Sequence, residues 1–286
     1  MSAVEPTRAA GGSALKQAVK DHWEQETCGV RYGDGEERLA WFRTIAEKRY
    51  ELEPYIPDFA QFAEGQGKKV LEIGVGAGSD FLNWARNAGH ATGVDLTEAG
   101  IALTRERLTL EQIDPARFAL QPADAENLPF ETGSFDIVYS WGVLHHTPDT
   151  RKAYSEVLRV LKPGGRMRTM VYQVPSWTGF MLYLLHGVAK GKIGLGQRGA
   201  MYAHLESAGT KSYTVAEARE LATSLGYKDV VVSTKLGPGD LLTIAPSARY
   251  NSWPFKLAFM FWPRWLIRML GDKYGLYLLL EGRKPE

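Results

Sequence analysis

A short apolar run that empties into three glycines, Val70-Leu71-Glu72-Ile73-Gly74-Val75-Gly76-Ala77-Gly78, is the stretch whose residue types point most directly to chemistry. A buried strand ending in glycines lets the backbone take positive φ and approach a ligand closely. Many nucleotide folds share such a loop, so two further details carry the weight. Where a dinucleotide fingerprint has its third glycine, this chain has Ser79. Glu72 stands just before the loop, where a carboxylate repels pyrophosphate and attracts a cationic group. The loop therefore argues against a dinucleotide. Asp95 closes the next strand-like run, 17 residues after Gly78. It can accept from both hydroxyls of a ribose, or serve more plainly as a charge at a helix start beside Thr97. Asp124, in Ala123-Asp124-Ala125-Glu126, is placed to accept from the exocyclic amine of an adenine while Ala125 offers its backbone. Its plainer role is an Asx turn.

These residues need a scaffold, and the text from Lys68 to about Val232 supplies one by alternating β-branched runs with amphipathic ones. Strands are expected at Lys69–Ile73, Ala91–Asp95, Phe118–Gln121, Phe135–Ser140, Arg166–Tyr172, Asp229–Thr234 and Tyr274–Glu281. Helices are expected near Ser79–Asn87, after a Thr97 cap, over Arg151–Leu161, and from a Thr214/Glu217 capping box to Gly226. Three stretches break the alternation: about 1–60, 174–212 and 236–274. The first holds a helical run, Glu36–Leu52, with Leu39, Phe42, Ile45 and Leu52 near one face. All three read as a cover over a binding site rather than a second domain. The organisation is thus an N-terminal cover segment over 1–60 with a frayed tail at 1–14, then one domain over 61–286.

Glu72–Gly78, Asp95, Asp124–Phe130, Phe135–His146 and Leu158–Gly165 together, in this order, resemble class I S-adenosylmethionine-dependent methyltransferases, in the branch that includes quinone, sterol and other small-molecule enzymes. The resemblance covers about residues 65–172. It implies an α/β, Rossmann-like seven-stranded sheet, mostly parallel with the last strand reversed and helices on both faces. It implies S-adenosyl-L-methionine as cofactor, leaving S-adenosyl-L-homocysteine, and cofactor-binding roles for Glu72, Gly74, Gly76, Gly78, Asp95, Leu96, Asp124, Ala125 and Ser140. Methyl transfer from a sulfonium is an in-line displacement, so a protein has mainly to align the reactants and exclude water. A base is needed only for a protonated acceptor, and no metal is required. His145-His146 follows the fourth strand, where the methyl group would lie. Either one of the pair orients or deprotonates the acceptor, or His145 borders the cofactor and His146 caps the next helix. Tyr32, Tyr172 and Tyr213 are candidates to line the acceptor pocket. Ser140-Trp141-Gly142 departs from the tetrad that holds a planar nitrogen in amide and adenine-amine methyltransferases.

Composition bounds the alternatives. With 34 Lys plus Arg against 33 Asp plus Glu in 286 residues, a grip on bulk nucleic acid is disfavoured. A hydrophobic fraction of 44% excludes a disordered chain. Cys28 stands alone, which excludes an internal disulfide and a cysteine-cluster metal site. Residues 1–14 lack an apolar signal core, and the runs Val174–Ala189 and Leu257–Pro263 fall short of the roughly 20 residues of a spanning helix. A soluble, cytoplasmic protein is expected. Segments 174–212 and 236–274 each carry +3, leaving −5 for the rest. Trp253, Phe255, Phe259, Phe261, Trp262 and Trp265 crowd one stretch, with Arg264 and Arg268 on one helix face. Residues 253–270 either serve a bulky, apolar or anionic acceptor, touch an anionic membrane surface, or pack against the sheet or a second subunit in a homodimer. The rival functions are a nicotinamide-dependent oxidoreductase, which Glu72 and Ser79 disfavour, and a non-catalytic scaffold; an exposed peptide is a further possible acceptor.

Overall fold

The computed structural model describes residues 10–25, 27, 30–207, 209–243 and 259–286. Cys28, Arg249, Trp253, Phe255 and Lys256 lie outside the described residues. Strands β1 (Lys69–Ile73), β2 (His90–Asp95), β3 (Phe118–Pro122), β4 (Phe135–Trp141), β5 (Leu161–Gln173), β6 (Ser212–Tyr213), β7 (Lys228–Lys235) and β8 (Tyr277–Arg283) build one sheet. Its order is β3-β2-β1-β4-β5-β8-β7, with β6 beside β5. All pairings are parallel except those of β8, which runs antiparallel to both β5 and β7. The expected strands therefore appear, together with a two-residue β6 too short to read from sequence. The largest boundary shift is the start of β5, at Leu161 rather than Arg166, and β8 starts at Tyr277 because Gly271–Tyr274 forms a 3-10 turn before it.

The helices are α1 (Ala10–Gln25), α2 (Arg38–Leu52), α3 (Ile56–Ala60), α4 (Ser79–Asn87), α5 (Glu98–Leu110), α6 (Thr150–Val160), α7 (Trp177–His186), α8 (Gly196–His204), α9 (Val215–Leu225), α10 (Pro238–Leu241) and α11 (Arg264–Leu270). The caps are those the sequence announces. Thr97 accepts from Gly100 N–H at the start of α5, and Thr214 and Glu217 close a reciprocal capping box on α9. The tail is a correction: residues from Ala10 onward are helical, and α1 reaches the body of the protein.

Alternation along the strands sorts the core into two layers. Val70, Ile137, Tyr139, Met170 and Tyr172 face a cluster with Phe81 and Trp84 of α4. Leu71, Ile73, Val138, Val171 and Leu278 face the other side, against Tyr154 and Val157 of α6 and Ala222 of α9. Since both faces are covered, the free rim of this sheet is its strand ends. The carboxyl ends of β1, β2, β4 and β5 are where an open α/β sheet can hold a ligand. No helix among the described residues is long and apolar enough to cross a membrane.

Candidate functional site

The glycine turn is built against protein on several sides. Gly74, Gly76 and Gly78 all take positive φ, at 85°, 51° and 72°. A Cβ on Gly74 would lie 2.1 Å from Val143 Cγ2, and one on Gly78 would lie 2.9 Å from Thr104 Oγ1. At these two positions the requirement for glycine is already set by the fold, rather than by a ligand as the loop's sequence suggests. Thr104 Oγ1 donates to Gly76 O at 2.9 Å, and Arg107 donates to Ala77 O and to Ser79 Oγ. Ser79 is thus tolerated in place of a glycine because its hydroxyl faces Arg107.

Three acidic groups surround this turn. Glu72 is buried and its Oε2 has no hydrogen-bond partner. Burial, with the negative charges of Asp80 and Asp95 and against the pull of Arg49, pushes its carboxyl well above the usual carboxylate range. Asp80, in the first turn of α4, is gripped by three side chains from two elements. Arg49 of α2 donates to both of its oxygens at 3.0 and 2.6 Å, Tyr50 to Oδ1 at 3.0 Å, and Tyr139 of β4 to Oδ2 at 2.8 Å. Burial alone would raise this carboxyl; the charge of Arg49 and the three sets of hydrogen bonds hold it below the usual range. Asp95 accepts from Gly76 N–H at 3.0 Å and from the amide and hydroxyl of Thr97. Its local role at the start of α5 is therefore real. A carboxylate has about four acceptor positions, so one more donor fits. Leu96 beside it is half-buried.

Asp124 likewise forms the Asx turn, Oδ1 accepting from Glu126 N–H at 2.9 Å, with Ala125 buried between them. Its Oδ2 accepts a hydrogen bond from the Lys16 ammonium of α1 at 2.6 Å, and Lys16 also donates to Glu126 at 2.7 Å. Helix α1 crosses the mouth from there: Trp23 meets His146 edge-on at 5.6 Å, and Glu24 accepts from Ala99 N–H at the start of α5. Ser140 is fully buried and its hydroxyl donates to Ile73 O, joining the ends of β4 and β1.

The histidines stand on a 3-10 turn, Leu144–His146, just beyond β4. His145 is fully buried between the rings of His146 and Tyr172, each 4.2 Å away, and neither of its nitrogens has a partner. Burial, then the charges of His146 and Lys211, keeps it well below the usual imidazole range and so neutral. His146 does not cap α6; Asp149 does, accepting from Lys152 N–H. Instead His146 Nδ1 meets Ser207 Oγ at 2.9 Å and Thr210 Oγ1 at 3.3 Å, and Nε2 lies 3.4 Å from Glu206 Oε2. Glu206 would be raised by its surroundings, but His146 and the Tyr172 hydroxyl hold it below the usual range. Of the three tyrosines, Tyr172 joins this cluster. The Tyr32 hydroxyl accepts from Arg31, whose charge reaches Glu206. Tyr213 packs on the α6–α9 side of the sheet, away from the histidines.

Sequence reasoning missed Lys16, Arg49, Asp80 and Glu206. Arg49 and Lys16 carry no local signal, since their partners are 31 and 108 residues away. Glu206 did have one: it is the single acid of the basic 174–212 segment.

A parallel sheet with one reversed strand, and an acid-lined glycine turn at its carboxyl rim, define a Rossmann-like fold. Residues 71–169 match the family described as "Methyltransferase domain". The chain is similar to phthiotriol/phenolphthiotriol dimycocerosates methyltransferase of Mycobacterium tuberculosis, 43% identical over 101 residues, 35% of this chain and 36% of that one. It is similar to 27-O-demethylrifamycin SV methyltransferase of Amycolatopsis mediterranei, 32% identical over 147 residues, 50% of this chain and 54% of that one. These matches span between about a third and a half of the relatives' length. Among solved structures, geranyl diphosphate C-methyltransferase of Streptomyces coelicolor, in complex with Mg2+, geranyl diphosphate and S-adenosyl-L-homocysteine, aligns at TM-score 0.61 and 17% identity over 96% of this chain and all of that one. That likeness is one of fold.

The Asp80–Arg49 pair makes a stability prediction. A carboxyl lowered in the folded state contributes stability that is full above its unfolded value of about 3.9 and is lost as pH falls through its folded value. Asp80→Asn is expected to destabilise by about 2–4 kcal/mol at neutral pH, because it removes the closer of the two carboxylates paired with the largely buried Arg49, leaving only Glu53 at 3.4 Å. It should also flatten the acid limb of stability against pH in urea denaturation. An acid limb identical to that of the unmodified protein would remove Asp80 from this role.

Proposed function

We propose that this chain is an S-adenosyl-L-methionine-dependent methyltransferase acting on a small or lipid-like metabolite at oxygen, nitrogen or carbon. The observation that carries the reading is Glu72: a buried carboxyl oxygen without a partner, pressed by two further acids, at the place where a cationic amino group would settle. Asp95, with a free acceptor position, would take a ribose hydroxyl. Asp124 already holds an N–H donor in the Lys16 ammonium, the chemistry that an adenine amine would offer. Leu96, Ala125 and the Gly74–Gly78 backbone would border the same molecule. A dinucleotide fits this acid-lined turn poorly, since two phosphates would face Glu72.

The bound cofactor supplies a methyl group on a sulfonium with a good leaving group. The chain's part is alignment and the exclusion of water, for which α1 laid across the mouth is suited. His145 is neutral and His146 is tied to Ser207 and Glu206, so His146 is the one of the pair placed to orient an acceptor or hold its proton. Segments 1–60, 174–212 and 236–274 act as the cover. Lipid-like acceptors of relatives such as the phthiotriol enzyme support an apolar substrate. Met260, Phe261, Trp265 and Met269, each at least 65% exposed, support contact with an anionic lipid surface, next to Arg264 and Arg268.

Labelled methyl cofactor added with the protein to a cell extract should place label in the organic phase, and Asp95→Ala should weaken binding of S-adenosyl-L-homocysteine by about 1–3 kcal/mol in calorimetry. Unchanged affinity would remove Asp95 from the site. Since a cation beside Glu72 lowers its raised pKa, cofactor binding near neutral pH should release protons, read as a dependence of the binding heat on buffer ionisation, and Glu72→Gln should abolish that release. Co-sedimentation with anionic vesicles at low salt should retain the protein; recovery in the supernatant, with a dimer in sedimentation analysis, would make the 260–269 face a subunit interface.

A further inference from the structure

We propose that His145, His146 and Glu206 form a site for one divalent first-row transition ion of the zinc type. One donor atom from each of the three lies within 4.8 Å of the others. His146 Nε2 and Glu206 Oε2 are 3.4 Å apart. That is the spacing of two ligands on a tetrahedral ion with bonds of about 2.0–2.1 Å. It is longer than a good hydrogen bond, and Nε2 makes none.

Two hydroxyls surround Nδ1 of His146: Ser207 Oγ lies 2.9 Å away, and Thr210 Oγ1, which donates its own proton to Ser207 O at 2.7 Å, lies 3.3 Å away. Both oxygens can accept a proton from Nδ1, and in that tautomer the lone pair on Nε2 faces the Glu206 carboxylate, where a cation between the two would satisfy both. A ligating histidine ordinarily donates its other N–H to an oxygen in this way.

Two other features need the same explanation. His145 is fully buried with both nitrogens unpartnered, although a buried polar group is ordinarily hydrogen-bonded. Coordination would use its lone pair. Glu206 is held at φ +53°, a left-handed backbone that a non-glycine residue seldom adopts and that clusters at functional sites. Its carboxylate is also contacted by the Tyr172 hydroxyl. The nearby cation Lys211 turns its ammonium to Thr147 O.

Two imidazoles and one carboxylate suit zinc, cobalt or iron(II), whereas Mg2+ prefers an all-oxygen octahedron. Three protein ligands leave one position open. This part rests on the methyltransferase reading above: the open position would take an oxygen of the acceptor, which favours hydroxyl- or carboxylate-bearing substrates. The ion binding itself does not depend on that reading.

The test uses untagged full-length protein stripped by chelator and titrated with Co2+, followed by its visible ligand-field absorption, then loaded with Zn2+, desalted and analysed for metal. The expected result is one ion per chain, with strong four-coordinate bands, no displacement by Mg2+, and affinity lowered about tenfold or more in His146→Ala and in Glu206→Gln. His204→Ala, in the separate His186–His204 stack, should bind as the unmodified protein does. Circular dichroism and S-adenosyl-L-homocysteine calorimetry on each variant separate ligand loss from misfolding. Uptake well below one equivalent, or uptake unchanged in a folded Glu206→Gln, would overturn the site. Either result leaves the cofactor measurements standing, so the two readings fail separately.

Discussion

Negative charge crowded at the carboxyl rim of the sheet is the constraint around which this structure is arranged. Glu72 is the penultimate residue of β1, Asp80 lies in the first turn of α4 and Asp95 ends β2, all bordering one glycine turn. Desolvated acids repel one another, and the interior answers the middle one with Arg49. That single ion pair draws α2 onto α4 and onto Tyr139 of β4. It leaves Glu72 without a charge partner of its own, its Oε2 unpaired.

The cover follows from the rim. A sheet buried on both faces has only its strand ends to offer, and α1 closes over them through contacts that are themselves acid-to-cation or ring-to-ring: Lys16 on Asp124 and Glu126, Trp23 on His146. Beyond β4 the chemistry changes character. The acids give way to a cluster of imidazole, phenol and carboxylate in which His145 is dry and neutral, while His146 is oriented from both sides. The rim therefore has two ends, one acidic and one built of imidazole, phenol and carboxylate.

Much of this was legible in the residue order. The strands β1 to β5, the Thr97 and Thr214 caps, and the glycine turn all announce themselves locally, because hydrophobic period, capping side chains and positive-φ glycines act over a few residues. The histidine pair was legible as a pair, but its roles were not. His146 looked able to cap α6, and only the fold shows Asp149 doing so. Tyr172 and Tyr213 are equivalent as text, yet they face opposite sides of the sheet, because β5 and the short β6 present them in different registers.

By itself the sequence determined the parallel α/β order and the acid-lined turn, since both are written in contiguous residues whose short-range preferences agree. The tertiary structure alone decided which charges meet. Lys16 with Asp124, Arg49 with Asp80 and His146 with Glu206 join residues 108, 31 and 60 positions apart. No local preference encodes such pairings: an ionic contact depends on distance and desolvation in space, and both are set only when the layers close around the sheet.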